Sequence, residues 1–415
     1  MTQATTDVPT RFDRFAQVLL VGMFLAFPVA LALGNVLGVL ALVAILVSGN
    51  LRSQWRKVFL LPSTWVILLL FLLILVGTTY TSAPGNTALV HLSKYAKLLA
   101  GLLFVSVLFD ARTRLYCLYA FMVAMGFILV SAYCGIFVPL PWAVSQQTGW
   151  GVDRTVVGDY ITQNVMMTFF VLTCLAFLWK FKTPWARGFW GVLAALGAVS
   201  ITHMSWGRTG VLLLCSCLVV AGLAAVPGKK KIWMLGAMIA ILGLVAGTSP
   251  LLMDKVRLGW KEVQTHESNK YSSLGHRLYN YKSVLAIIQE NPLAGTGTGS
   301  FETEACRLNT RPEECEFFGW HPHNQYLFFT VENGVLGGLL FVALIVSLFY
   351  AARNRSTPDK CLLLGFATML AANSLVNSSL FSARESHFFI FMMALLLAGP
   401  VIEQPNTEQS PHPMP

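Results

Sequence analysis

Residues Trp320–Gly338 read WHPHNQYLFFTVENGVLGG. The stretch opens on a polar cluster, His321, His323, Asn324 and Gln325, and runs directly into an apolar segment that ends near Tyr350. About 20 apolar residues cross a bilayer as a helix, so a histidine pair stands where a membrane span meets water. Just upstream, over about residues 251–319, lies the long hydrophilic segment of the chain. This loop and the helix entrance are the candidate site, and the other spans are its support.

Composition sets the class. Of 415 residues, 55% are hydrophobic and 12% charged, with mean hydropathy +0.64. A soluble domain carries about 25% charged residues, so the chain reads as an all-α polytopic membrane protein. The formal charge of +10 is explained by loops that orient spans, and no nucleic-acid partner is expected. The opening MTQATTDVPTRFDRF carries both charge signs and leads into a full-length apolar run. It reads as a retained first span, since no A-x-A-like cleavage site follows.

Apolar runs at 15–33, 36–49, 62–79, 95–109, 115–136, 160–179, 188–202, 209–226, 232–249, 326–351, 361–378 and 386–402 predict about twelve spans. The expected organisation is spans 1–9 within residues 1–250, a large loop at 251–325, spans 10–12 within 326–402, and a cytoplasmic tail at 403–415. With the N-terminus inside, the inner loops receive Arg52, Arg56 and Lys57, then Arg112 and Arg114, then Lys180, Lys182 and Arg187. Lys229–Lys231, Arg353, Arg355 and Lys360 follow on the same side. The loop 251–325 then lies outside the cytoplasm, with Arg154, His203, Arg208 and Arg384. Of eight histidines, only His412 in the tail is away from that outer face.

Within the loop, Leu274, Leu278, Tyr281, Leu285 and Ile288 recur at helical spacing and predict an amphipathic helix from about Ser273 to Glu290, stopped by Asn291-Pro292. LAGTGTGSF follows; it lacks the ending of a phosphate-binding P-loop, so it reads as a turn that lets backbone approach the site. Cys306 and Cys315 can close a short disulfide ring in an oxidising compartment, the alternative being two free thiols.

Arg208 opens a predicted span, where a cation faces the positive end of the helix dipole. An anion bound there removes that penalty; an arginine reaching to lipid headgroups is the other reading. Arg277, on the loop helix, offers a planar fork for phosphate oxygens or is simply a solvated face. Arg154, Lys282, Arg307, Arg311 and Arg384 are further candidates. His321 and His323 could ligate a metal, but no carboxylate or cysteine stands at a convincing spacing, so no metal is expected. They could also cap the helix, or one could serve as a general base. His323 is closer to the helix start, where the neutral, base-competent form is favoured.

His323-Asn324, nine residues, then Gly334-Val335-Leu336-Gly337 resembles the H-[NSQ]-x9-G-x-x-G pattern of bacterial O-antigen ligases. Arg208–Leu212 (RTGVL) is similar to that family's R-x3-L motif, and Arg277 through Phe301 to the end of its large periplasmic loop. The resemblance implies a GT-C-like helical fold in the bacterial inner membrane, with a site facing the periplasm. It implies transfer of O-antigen polysaccharide from undecaprenyl pyrophosphate to a sugar hydroxyl of lipid A–core, with no cofactor, ATP or metal. His323 would be the base, Arg208 and Arg277 the pyrophosphate ligands, and His321 and Asn324 would orient base or acceptor. Membrane lipids would surround the spans.

An O-antigen polymerase and a protein O-oligosaccharyltransferase would use the same donor. The latter group is usually longer after the loop, which favours the ligase. A lipid-linked anion transporter would need inverted repeats and polar residues near the midplane, and neither is evident.

Overall fold

The computed structural model describes residues 10–48, 51–265, 269–309 and 311–402; the predicted tail 403–415, with His412, lies outside them. Among these residues all regular structure is helical. The first part of the chain forms α1 (Arg11–Ala26), α2 (Leu31–Val47), α3 (Leu51–Val58), α4 (Pro62–Gly77), α5 (Thr87–Tyr95) and α6 (Lys97–Leu108). Next come α7 (Ala111–Cys134), α8 (Tyr160–Lys180), α9 (Pro184–His203), α10 (Arg208–Ala225) and α11 (Lys230–Thr248). The hydrophilic stretch forms α12 (Pro250–Gln264), α13 (Ser273–Glu290), α14 (Phe301–Leu308) and α15 (Pro312–Gly319). The chain closes with α16 (Gln325–Ala351), α17 (Thr357–Asn373) and α18 (Ala383–Ala398).

Among the described residues six segments are long and apolar enough to cross a membrane: Thr87–Leu108 (α5 with α6), α7, α8, α10, α11 and α16. Helices α2 and α4 are apolar but shorter, and α1, α9, α17 and α18 fall on the predicted runs 15–33, 188–202, 361–378 and 386–402. The loop holds more than the single helix its apolar period predicts. Beyond α13 it holds α12, of fifteen residues, and α14 and α15, of eight residues each, the last two about two turns and too short to display a helical repeat.

Helices α8 and α18 form the centre. The apolar window of α8 is 83% buried, and every residue of α18 from Glu385 to Ala398 is buried. By contrast, α11 has no buried residue and runs along the outside. Interior contacts are aromatic: Phe169 lies 5.8 Å from Phe121, 5.7 Å from Phe388 and 6.0 Å from Phe366 between ring centroids. These edge-to-face pairs join α7, α8, α17 and α18 through one side chain.

At the end of the bundle opposite the histidines, the buried Arg114 guanidinium donates to the carbonyls of Leu108 (2.7 Å), Phe109 (2.9 Å) and Pro400 (3.1 Å). A cation there meets the negative ends of α6 and α18 and satisfies carbonyls left over by both helices. The Asp359 carboxylate accepts from the Val401 and Ile402 amides, so the same corner is tied from both sides.

Phe169→Ala should leave the topology intact but lower the thermal midpoint in detergent. The loss should sit towards the lower part of the ~3–5 kcal/mol typical of large-to-small core changes, because lipid offers the unfolded spans an apolar environment too. A midpoint unchanged from wild type would show that Phe169 does not join the four helices.

Candidate functional site

The N-terminus of α16 is capped by Asn324, whose Oδ1 accepts from the Leu327 amide at 3.0 Å. Its Nδ2 donates to the Leu375 carbonyl at 3.2 Å, so the cap also holds the α17–α18 connection. Gln325 repeats the tie: its amide donates to the Ser374 carbonyl (2.8 Å) and its Oε1 accepts from the Leu380 amide (2.9 Å).

Ahead of the cap, His323 adopts the left-handed conformation, φ 52°, uncommon for a residue with a side chain. This turns its ring beside His321, with centroids 4.1 Å apart. The His321 Nδ1 accepts from the His323 amide and faces the Ser378 hydroxyl, both at 3.1 Å. An amide can only donate, so Nδ1 of His321 carries no proton and the neutral ring is protonated on Nε2. His323 Nδ1 is buried without a hydrogen-bond partner. Of the two histidines, His321 is committed to holding the turn, and His323 keeps an unpartnered Nδ1 while its ring hydrogen-bonds the Asn377 side chain.

A third histidine completes the cluster. His276, on α13 beside Arg277, has its ring 5.0 Å from His323 and packs on Phe317 and Phe318 of α15. Cys306 and Cys315 are disulfide-bonded, clipping α14 to α15 and so fixing this aromatic wall. Burial, followed by the neighbouring positive groups, holds all three rings neutral: His276 is pushed down to about 4, His321 to about 3 and His323 to about 2.

Arg208 and Arg277 meet in one cleft of about 90 Å³ between the starts of α10, α8 and α13. Lys255 of α12 lines it as well, with its ammonium 4.0 Å from the centre of the Trp206 ring. The countercharge of Arg208 comes from the protein: Nη2 is 2.9 Å from the Glu262 carboxylate, which also accepts from the Leu274 amide at 3.3 Å. Even so, Nη1 of Arg208 is buried without a partner. Among the described residues Arg277 makes no ion pair, and burial holds its pKa below the usual arginine value. Three cations thus face one carboxylate, an arrangement that favours an anion.

The glycines of the motif have a backbone role. Helix α16 is interrupted at Asn333 and Gly334, with φ 67° at Gly334. A side chain there would run into the Leu293 carbonyl. At Gly337 a Cβ would lie 2.6 Å from the Phe329 carbonyl, so the turn after the break requires a bare backbone. The predicted close-approach turn, GTGTG, fills this break: the Thr296 and Gly297 amides donate to the Val331 and Glu332 carbonyls at 2.8 and 2.9 Å. Buried Glu332 accepts from the Gly299 amide at 3.0 Å and lies 3.3 Å from the His91 Nδ1.

The other candidates are elsewhere. Arg154 is buried, but its guanidinium serves the Gly149 carbonyl and it does not line the cationic cleft. Arg307 pairs with Glu290 and Glu304, Arg311 with Glu314, and Arg384 donates to the Pro28 carbonyl. Leu212 is one turn beyond Arg208 on the exposed side of α10. Sequence reasoning missed His276, Lys255, Glu262, Ser378 and Asn377. A readable signal existed for two of these: the polar run Asn373–Ser379 interrupts an apolar region, and polar residues between spans mark function. Among the described residues no group of three His, Cys, Asp or Glu is arranged to hold a metal.

Two outcomes follow from this geometry. Gly334→Ala should destabilise the protein by ~2 kcal/mol or more, since strain at φ > 0 adds to the clash; an unchanged unfolding midpoint would contradict the broken-helix geometry. The three histidines bind protons more readily when unfolded, near pKa 6.5. Stability should therefore fall as pH drops from 7 towards 4. Thermal unfolding across that range should show the slope, and His276→Gln combined with His321→Gln should reduce it.

Residues 201–342 match a family model described as O-antigen ligase. No curated protein matches the chain. The matched stretch runs from the end of α9 into α16 and contains Arg208, Arg277, all three clustered histidines and the motif glycines, so the part of the chain that builds the candidate site is the part similar to the O-antigen ligase family.

Proposed function

We propose that the protein is an O-antigen ligase, an inverting glycosyltransferase that moves O-antigen polysaccharide from undecaprenyl pyrophosphate to a hydroxyl of lipid A–core. The observation that carries this reading is the meeting of Arg208, Arg277 and Lys255 in one cleft, with Arg277 on the helix that brings His276 against His323. A pyrophosphate in the cleft would satisfy the unpartnered Arg208 nitrogen, compete with Glu262, and leave the anomeric carbon on the side of His323.

In the reaction, His323 takes the proton of the acceptor hydroxyl as the oxygen attacks the anomeric carbon. The bond to the pyrophosphate oxygen breaks on the opposite face, so configuration inverts. Undecaprenyl pyrophosphate departs with its charge matched by the three cations, and being a good leaving group it needs no acid and no ATP. The bound anion also offsets Arg277, one of the charges that hold the His323 pKa down, so basicity rises as the donor arrives. His321 holds the backbone turn under His323, and Asn324 holds the helix start.

The bundle is read as about twelve spans in a GT-C-like arrangement, including the shorter apolar helices, in the bacterial inner membrane. The short loops at Arg112–Arg114, Lys180–Arg187, Lys229–Lys231 and Arg353–Lys360 are rich in basic residues, which supports reading that end of the bundle as cytoplasmic and the histidine end as periplasmic. A polymerase or a protein O-oligosaccharyltransferase would share the donor cleft and differ in the acceptor.

The test is transfer in a reconstituted system with purified protein, undecaprenyl-pyrophosphate-linked glycan and lipid A–core. Wild type should form the glycan–core conjugate without ATP or added metal. His323→Ala should lose roughly 10²–10⁴-fold, the usual worth of a general base, and Arg208→Ala or Arg277→Ala should also fail. Elongation of the lipid-linked glycan instead would identify a polymerase; a product with retained configuration would overturn direct displacement.

A further inference from the structure

Next to the cationic cleft lies a second one that none of the steps above uses. It measures about 420 Å³, within the size range of small-ligand sites. Its lining includes Ser145, Gln147, Asp153, Asp159, Tyr160 and Trp206. Tyr160 and Trp206 belong to both clefts, so the two aromatic rings form a partition. Lys255 occupies the ring of Trp206 on the cationic side, yet the residue remains 46% exposed, leaving ring surface for a ligand.

The walls are built, not loose. Val144 and Ser145 amides donate to the Val156 and Thr155 carbonyls at 3.2 and 2.8 Å, and the Arg154 amide to the Met204 carbonyl at 2.8 Å. Gln163 Oε1 accepts from the Val156 amide at 2.7 Å. The buried Arg154 guanidinium, bonded to the Gly149 carbonyl, pins the loop from beneath. The carboxylates are equally constrained: Asp153 accepts from the Trp206 amide (3.1 Å) and the Thr155 hydroxyl (2.6 Å). Asp159 caps α8 through the Ile161 and Thr162 amides, both at 2.9 Å.

We infer that this cleft is a saccharide-binding subsite contiguous with the pyrophosphate cleft. Aromatic faces suit the C–H face of a pyranose, and fixed carboxylate oxygens with spare lone pairs accept from hydroxyls. Two carboxylates repel a phosphate, so the ligand is a neutral, hydroxyl-rich sugar. The inference rests on the ligase reading in one respect, that the neighbouring cleft holds pyrophosphate. The sugars could belong to the donor glycan or to the acceptor oligosaccharide, which share this chemistry.

The experiment measures binding to the full-length protein in lipid nanodiscs with three probes. These are bare undecaprenyl pyrophosphate, the undecaprenyl-linked glycan extracted from the bacterium that makes the protein, and lipid A–core from the same cells. Gln147→Ala removes a polar group from the cleft, and Val144→Trp fills it. Both variants should weaken one sugar-bearing probe by roughly tenfold, the worth of one or two hydrogen bonds, with binding of the bare lipid unchanged. Loss confined to the linked glycan assigns the donor sugars, and loss confined to lipid A–core the acceptor. Unchanged affinity for both sugar-bearing probes overturns the subsite, as does an equal loss for all three. If Arg208→Ala leaves bare-lipid binding unaffected, the ligase reading fails separately, and the sugar-bearing probes still decide the subsite.

Discussion

Helix α16 is broken inside the apolar bundle, and the surrounding architecture follows from repairing that break. Backbone amides and carbonyls freed within a membrane cannot turn to water, so protein must satisfy them. The glycine loop does this: Val331 and Glu332 carbonyls are taken by Thr296 and Gly297, and the Val335 amide by the Pro292 carbonyl. Thr298 reaches further, donating to the Gly77 carbonyl at 3.0 Å, which joins the end of α4 to the same knot. Because Pro292 stands two residues beyond the end of α13, the repair also fixes where Arg277 and His276 stand relative to His323.

The histidine–asparagine–glycine spacing acquires a physical meaning from this arrangement. Nine residues separate Asn324 from Gly334, about 15 Å of helix at 1.5 Å per residue, or the depth at which the loop is inserted. His323 and Asn324 define the upper end of that short segment, Gly334 the break and Gly337 the resumption. The motif therefore describes a short half-helix, with His323 at its N-terminal end and an inserted loop at the other.

Electrostatically the cleft is a concentration of positive charge with neutral histidines at its edge. Arginine and lysine lower the histidine pKa values, and burial lowers them more. Glu262 offsets only one of three cations. Such a concentration of like charge favours an anion.

Much of this was legible in sequence. The apolar runs, the basic loops, the amphipathic period of Ser273–Glu290 and the histidine–asparagine–glycine spacing are local signals, set by the needs of helices in lipid and of turns in backbone. They sufficed for the helical membrane class, for the helix that carries Arg277, and for His323 at a span entrance. What they could not reach depends on contacts between distant parts of the chain. Glu262 and Arg208 are 54 residues apart, Ser378 and His321 57, and Arg154 looks like any outer-loop arginine until its carbonyl partner is seen. Local period and spacing report how each segment meets lipid or water; which side chains then share a cleft is decided by how the helices pack, and that only the tertiary structure contains.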